Sequence, residues 1–250
     1  MAVLAFYGIY SLVRNQFGSA AVEPELAYDN AIRVIDIERS LGLFHEQRIQ
    51  SWFGDSAAFF RFWNIFYGTL HFVVTIGCFV YLYRSASDRY GIARTTFAGA
   101  TGLALIGFAT FPLMPPRLLN VGGEFGGAAF GGSEFTFVDT VAVYGGLWSF
   151  DAGPVAEISN QYAAMPSLHF AWSLWCALAV VPVLSNRTAK LALSWYPALT
   201  VFAIVVTGNH YWIDAVGGLV VLMAGFGLAK VLTPIGLAAL HRIDTKTSSA

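Results

Sequence analysis

The chain has 250 residues, 56% of them apolar, 16% aromatic and only 12% charged, with a net charge of −1 and a mean hydropathy of +0.60. That balance lies outside the range of soluble domains, and it carries no basic stripe for nucleic acid. The length suits a single integral-membrane domain over 1–250, with no internal repeat and no low-complexity linker to divide it. Cys78 and Cys176 both fall inside apolar stretches, which argues against a disulfide framework or a zinc site. Neither a metal nor another cofactor is expected. The first residues show no basic leader and no small-residue cleavage site, so no signal peptide is expected.

Six apolar stretches predict six transmembrane helices in an all-α, polytopic membrane bundle. The first, Ala2–Val13, is short. The others run Phe59–Tyr83, Thr95–Met114, Pro166–Leu184, Leu191–Thr207 and Tyr211–Leu232, each near the ~20 residues that cross a bilayer. Residues 14–58 form an outer segment of different character. Its Glu23–Phe53 part mixes Ile32, Ile35, Leu41, Leu43, Phe44, Ile49 and Trp52 with many charges. This predicts one or two amphipathic helices lying on the membrane surface or covering the bundle. Residues 115–165, glycine-rich around Gly122–Gly132, form a long connection expected to lie over the site.

Loop charges predict the orientation. Arg84, Arg89, Arg94, Arg187, Lys190, Lys230, Arg242 and Lys246 share one side with only Asp88 and Asp244. The other side holds Arg14, Arg33, Arg39, Arg48, Arg61 and Arg117 against the remaining acidic residues. The positive-inside rule then puts both termini in the cytoplasm and the long loop outside. The expected location is the plasma (inner) membrane, with an active site facing outward.

Ionisable groups at membrane depth are costly, which makes each a functional candidate. His210 and Asp214 stand four residues apart at a helix start, on one face and within hydrogen-bond reach. A carboxylate holding one imidazole nitrogen leaves the other to act as nucleophile or base. Pro166-Ser167-Leu168-His169 reads as another helix start, whose free N–H groups and positive dipole end favour an anion. A histidine there can protonate a leaving oxygen. Arg117, after Pro115-Pro116, can fork onto two phosphate oxygens or snorkel to the headgroups. His71, four residues after Tyr67, reads either as a polar contact near the site or as a histidine bonded to a neighbouring helix. Asn160, Gln161 and Tyr162 precede the second motif and could meet headgroup hydroxyls.

At these residues the chain resembles the type-2 phosphatidic acid phosphatase and haloperoxidase superfamily. That family's motifs contain an arginine, a Pro-Ser-Gly-His and a His-x-x-x-Asp, which Arg117, Pro166–His169 and His210–Asp214 match in order. The resemblance implies His210 as the nucleophile of a phosphohistidine, Asp214 as its orienting partner and His169 as the general acid. Arg117, Ser167, Asn209, Tyr162 and His71 are the expected phosphate or substrate contacts. The departures are Thr110 where the family has a lysine, Ile204 where it has an arginine, and Leu168 for the motif glycine. Two missing cations argue against simple phosphomonoester hydrolysis. The run Gly208-Asn209-His210-Tyr211-Trp212-Ile213-Asp214 is similar to the inositol phosphorylceramide synthase branch, which moves phosphoinositol from phosphatidylinositol to a lipid alcohol.

The leading expectation is therefore an enzyme of the bilayer. It moves a phosphorylated headgroup from a membrane phospholipid to a lipid or sugar alcohol. A lipid or polyprenyl phosphate phosphatase shares the mechanism with water as acceptor. A proton-coupled transporter is the reading from another class, but it calls for repeat symmetry and broken mid-membrane helices, which the sequence does not show.

Overall fold

The structure is a computed structural model that describes residues 22–147 and 160–247, with side chains over 22–147 and 160–233. Among the described residues every regular element is a helix. The helices are α1 (Pro24–Ser40), α2 (Glu46–Ser51), α3 (Ala57–Ser85), α4 (Ser87–Thr110), α5 (Thr140–Tyr144), α6 (Leu168–Val180), α7 (Arg187–Val206) and α8 (Trp212–Thr247). The one pairing of extended backbone among the described residues is a parallel bridge between Leu113 and Ala163.

Among the described residues four helices are long and apolar enough to cross a membrane: Ala57–Ser85, Ser87–Thr110, Arg187–Val206 and Trp212–Thr233. They mark the chain as an integral membrane protein. Their outer faces carry exposed Val73, Ile76, Val80, Ile106, Leu191, Trp195, Val216, Val220 and Met223. Such faces suit lipid, where apolar surface needs no covering. The apolar helix Leu168–Val183 is shorter than these four, and the expected span Ala2–Val13 lies outside the described residues. A further difference concerns the basic stretch read as a loop between the second and third spans. Only Ala86 separates α3 from α4, so Arg89 and Arg94 sit on the first turns of α4.

Helix α4 ends at Thr110, before the Pro112, Pro115 and Pro116 cluster, because proline lacks the N–H that would continue the ladder. Its buried row Thr96, Ala100 and Ala104 is small and spaced by four, which lets α8 pack closely along it. Two indoles pin α6 to α4. Trp175 Nε1 donates to the Ala93 carbonyl at 2.9 Å and Trp172 Nε1 to Thr101 Oγ1 at 3.1 Å.

Between residue 22 and α3 the chain folds as the two helices α1 and α2. Ala27, Ala31, Val34, Ile35 and Glu38 repeat at helical spacing and form the buried face of α1. That face packs on Leu113, Met114, Leu118 and Tyr211, where the chain leaves α4 and enters α8. The C-terminal ends of α4 and α7 thus meet the N-terminal ends of α6 and α8 beneath α1 and α2. Two backbone bonds tie the junction, Arg117 N–H to the Gly208 carbonyl at 2.8 Å and Ser167 N–H to the Asp214 carbonyl at 2.9 Å.

Candidate active site

His210 and Asp214 meet as their spacing predicts. Nδ1 lies 3.1 Å from Asp214 Oδ2, with both side chains buried. A carboxylate only accepts, which assigns the proton to Nδ1 and leaves the lone pair on Nε2. The same Oδ2 also accepts the Tyr211 N–H at 2.9 Å. Asp214 therefore caps the start of α8 and orients the imidazole with one oxygen. His210 Nε2 stands 3.5 Å from the hydroxyl of Ser167, which caps α6 by accepting from Phe170 N–H.

Two glycines allow this approach. Gly208 has φ +69°, a conformation that L side chains rarely adopt, and it turns the chain from α7 towards His210 against Arg117. At Gly218 a Cβ would sit 2.5 Å from the Ser167 carbonyl oxygen, so only glycine lets the first turn of α6 rest on α8.

Arg117 is buried, and each of its guanidinium nitrogens meets a protein acceptor. Nε donates to Asn209 Oδ1 at 3.1 Å, one terminal nitrogen to Asp139 Oδ2 at 2.6 Å, and the other to Gln161 Oε1. Asp139 uses its second oxygen to cap α5, accepting from Val141 and Ala142 N–H. Its neighbours on either side are clamped. Gln50 bonds both the N–H and the carbonyl of Val138, and Asn64 bonds the hydroxyl and carbonyl of Thr140. Sequence reading missed Asp139, Gln50 and Asn64. The N-cap pattern at Asp139 was visible, but its partner Arg117 is reached only through the fold.

A cavity of about 80 Å³ is lined by Arg117, Asn209, His210, Asn160, Gln161 and Tyr67, with Pro115, Ala163 and Ala164. His169 stands beside it. Its ring centroid is 5.6 Å from that of His210, 4.3 Å from His71 and 4.2 Å from Tyr67, on which it stacks. Tyr67 and His71 come from the π-helical turn Phe66–Leu70 and the residue after it, a local widening of α3 of the kind often found at functional sites. His71 Nδ1 lies 2.9 Å from the carbonyl of Tyr67 in its own helix.

The structure thus brings Arg117, Asn209, His210 and Asp214 together, with Ser167 touching His210 and His169 and His71 in a row behind Tyr67. Tyr162 is not among them. It is buried in the cluster under α1, and its hydroxyl donates to the Phe125 carbonyl at 3.2 Å, away from the cavity. Burial pushes that phenol up to about 12. Thr110, in the expected lysine position, bonds back to the Ile106 carbonyl, and Ile204 is fully buried among apolar neighbours. Neither puts a cation in the site.

The helix ends of this membrane bundle thus bring a histidine–aspartate pair and a buried arginine to one cavity, with a second histidine beside it. A sequence-family model described as the PAP2 superfamily matches residues 32–228, and the chain belongs to that superfamily. Its members are phosphatases and phosphotransferases, and the chain is an enzyme of that kind acting on phosphorylated substrates. No curated protein and no solved structure matches it.

Proposed function

We propose that this enzyme moves a phosphorylated headgroup, phosphoinositol, from a membrane phospholipid to a lipid or sugar alcohol through a phosphohistidine at His210. The observation that carries the reading is the His210–Asp214 pair bordering the cavity that Arg117 also lines. In the first half-reaction Nε2 bonds to phosphorus as the bond to the diacylglycerol oxygen breaks, and His169 protonates that oxygen. In the second, the acceptor hydroxyl oxygen attacks phosphorus, its proton passes to His169, and the phosphorus–nitrogen bond breaks. Ser167 and Asn209 hold phosphoryl oxygens, and His71 supports His169 from behind.

Charge favours transfer over hydrolysis. A phosphomonoester dianion needs more than one cation, yet Asp139 offsets Arg117 and the positions of Thr110 and Ile204 add none. A diester keeps a single negative charge through both half-reactions. The enzyme sits in the plasma membrane with six spans, Leu168–Val183 being the fourth, and with both termini in the cytoplasm. The outer segment rests at the interface, where its exposed Leu26, Ile37, Leu41, Leu43 and Trp52 meet lipid.

The test gives the purified protein labelled phosphatidylinositol with and without candidate lipid alcohols and follows the phosphate. Headgroup transfer that depends on the alcohol is the expected result. Fast release of inorganic phosphate from phosphatidic acid or a polyprenyl phosphate, with no transfer to any alcohol, makes the enzyme a phosphatase instead.

A further inference from the structure

Two carboxylates that the proposed reaction does not use stand at the start of α8. Glu38 lies on the buried face of α1, Glu46 opens α2, and both are 0% exposed. Glu38 Oε1 accepts the Ile213 N–H at 2.9 Å, and Glu46 Oε1 accepts the Trp212 N–H at 3.4 Å. These are the donors that a helix N-terminus leaves unsatisfied. The second oxygen of each carboxyl, Oε2, is also buried and finds no donor among the described residues. Accepting from the adjacent Trp212 and Ile213 amides sets the two carboxyl groups side by side at one helix end.

Two buried carboxylates side by side cannot both ionise without a large desolvation and repulsion cost. One proton between the two Oε2 atoms removes the repulsion and gives both orphan oxygens a partner. It leaves one negative charge on the positive end of α8, where the helix dipole stabilises it. We propose that Glu38 and Glu46 are positioning residues that share one proton and, through the Ile213 and Trp212 amides, fix the turn of α8 that holds Asp214 against His210. The catalytic consequence rests on the phosphohistidine reading above, whereas the proton sharing does not.

The electrostatics agree with the geometry. Burial, and then the neighbouring Glu46, push the Glu38 carboxyl from an ordinary 4.5 up to about 9, against the pull of the Ile213 N–H. The titratable groups facing it from packed elements are Glu46 of α2 and Asp214 of α8, with Tyr211 beside both glutamates. The folded protein therefore keeps a proton that the unfolded chain has lost near 4.5. Stability from the pair is complete below that value and declines as pH rises towards about 9.

The experiment uses the full-length protein in detergent or nanodiscs, as wild type, Glu38→Gln and Glu38→Ala. Tm is followed from about pH 5 to about pH 9, the window over which the shared proton is linked to folding. Wild-type Tm should fall across that window and Glu38→Gln should flatten the slope, because its amide supplies the hydrogen at every pH. Turnover at neutral pH should drop about a hundredfold in Glu38→Ala, the scale of a small misplacement of reacting groups, with most of it restored in Glu38→Gln. Hydrogen exchange at the Trp212 and Ile213 amides should quicken in Glu38→Ala alone. A wild-type Tm that is flat with pH, or a slope that survives in Glu38→Gln, overturns the shared proton. Unchanged exchange in Glu38→Ala, or a Glu38→Gln as impaired as Glu38→Ala, overturns the positioning role. If wild type turns over no phospholipid, the functional reading fails alone, and the Tm and exchange results still decide this one.

Discussion

Arg117 and Asp139 form a buried ion pair, with 2.6 Å between guanidinium nitrogen and carboxylate oxygen. A phosphate entering the cavity therefore meets a guanidinium whose charge is already offset. Asp139→Asn keeps a good helix cap for α5 while removing that offset. Inorganic phosphate should then inhibit at least about tenfold more strongly, the ~1.4 kcal/mol expected of one charge-assisted contact. The same change leaves Arg117 buried without its counter-ion, so stability should fall by about 3 kcal/mol and recover partly with phosphate present. Competition kinetics and a melting series check both halves. Unchanged inhibition in a destabilised variant would confine Asp139 to holding the loop.

His210→Ala should abolish turnover and covalent phosphorylation. His169→Ala should still accumulate a slowly decaying phosphoenzyme, since attack survives and only proton transfer is lost. Asp214→Asn keeps an oxygen for the Tyr211 N–H but cannot hold the Nδ1 proton in the same way. Its rate should fall by roughly two to four orders of magnitude, as when other orienting carboxylates are lost. Acid-quenched labelling with phosphorus-labelled phospholipid separates the three. Near-normal turnover in His210→Ala would end the phosphohistidine scheme.

What the sequence reveals and what it hides divide along contact distance. His210 and Asp214 are four residues apart, His210 just before α8 and Asp214 in its first turn, so short spacing brings them within reach. The helices α3, α7 and α8 follow from apolar length, whereas α4 stops at Thr110, before Pro112 and short of the expected Met114. Arg117 with Asp139 and Gln161 is different, because a helical bundle has to close before residues 22 and 44 positions apart can meet. Glu38 was counted among the charges of a surface helix, although it falls on the apolar stripe of Ala27, Ala31, Val34 and Ile35. That placement was the available signal. Its partner, the Ile213 amide, lies 175 residues away. Tyr162 was misjudged for a related reason, since proximity to a motif in sequence does not decide which way a ring points.

The orientation is open to direct labelling. Ser133, beyond the glycine-rich stretch, and Ser87, at the start of α4, are both exposed and belong to the two opposite sides predicted from charge. The native Cys78 and Cys176 are buried and give little background. Cysteine placed at Ser133 should react with a membrane-impermeant reagent in intact cells, and cysteine at Ser87 only after lysis. The reverse pattern would turn the active site to the cytoplasm.

Gly218 offers a test of how tightly the two histidine-bearing helix starts must pack. A Cβ there would lie 2.5 Å from the Ser167 carbonyl oxygen and 3.4 Å from the Ala171 amide nitrogen, both backbone atoms of α6 and its cap. Backbone cannot swing aside as a side chain can, so Gly218→Ala must push the two helix starts apart. Ser167 and His169 would then leave their places beside His210 while every catalytic group remained present. Overpacking of this kind costs about 1–3 kcal/mol, and a displacement near 1 Å should lower turnover by about a hundredfold. Gly227, on the same helix, has nothing within 4 Å of its would-be Cβ. Gly227→Ala should keep wild-type turnover and gain up to about 1 kcal/mol from helix propensity. Measured turnover and Tm of the two variants give the contrast. Equal activity in both would mean that the close approach of α6 and α8 is dispensable for the chemistry.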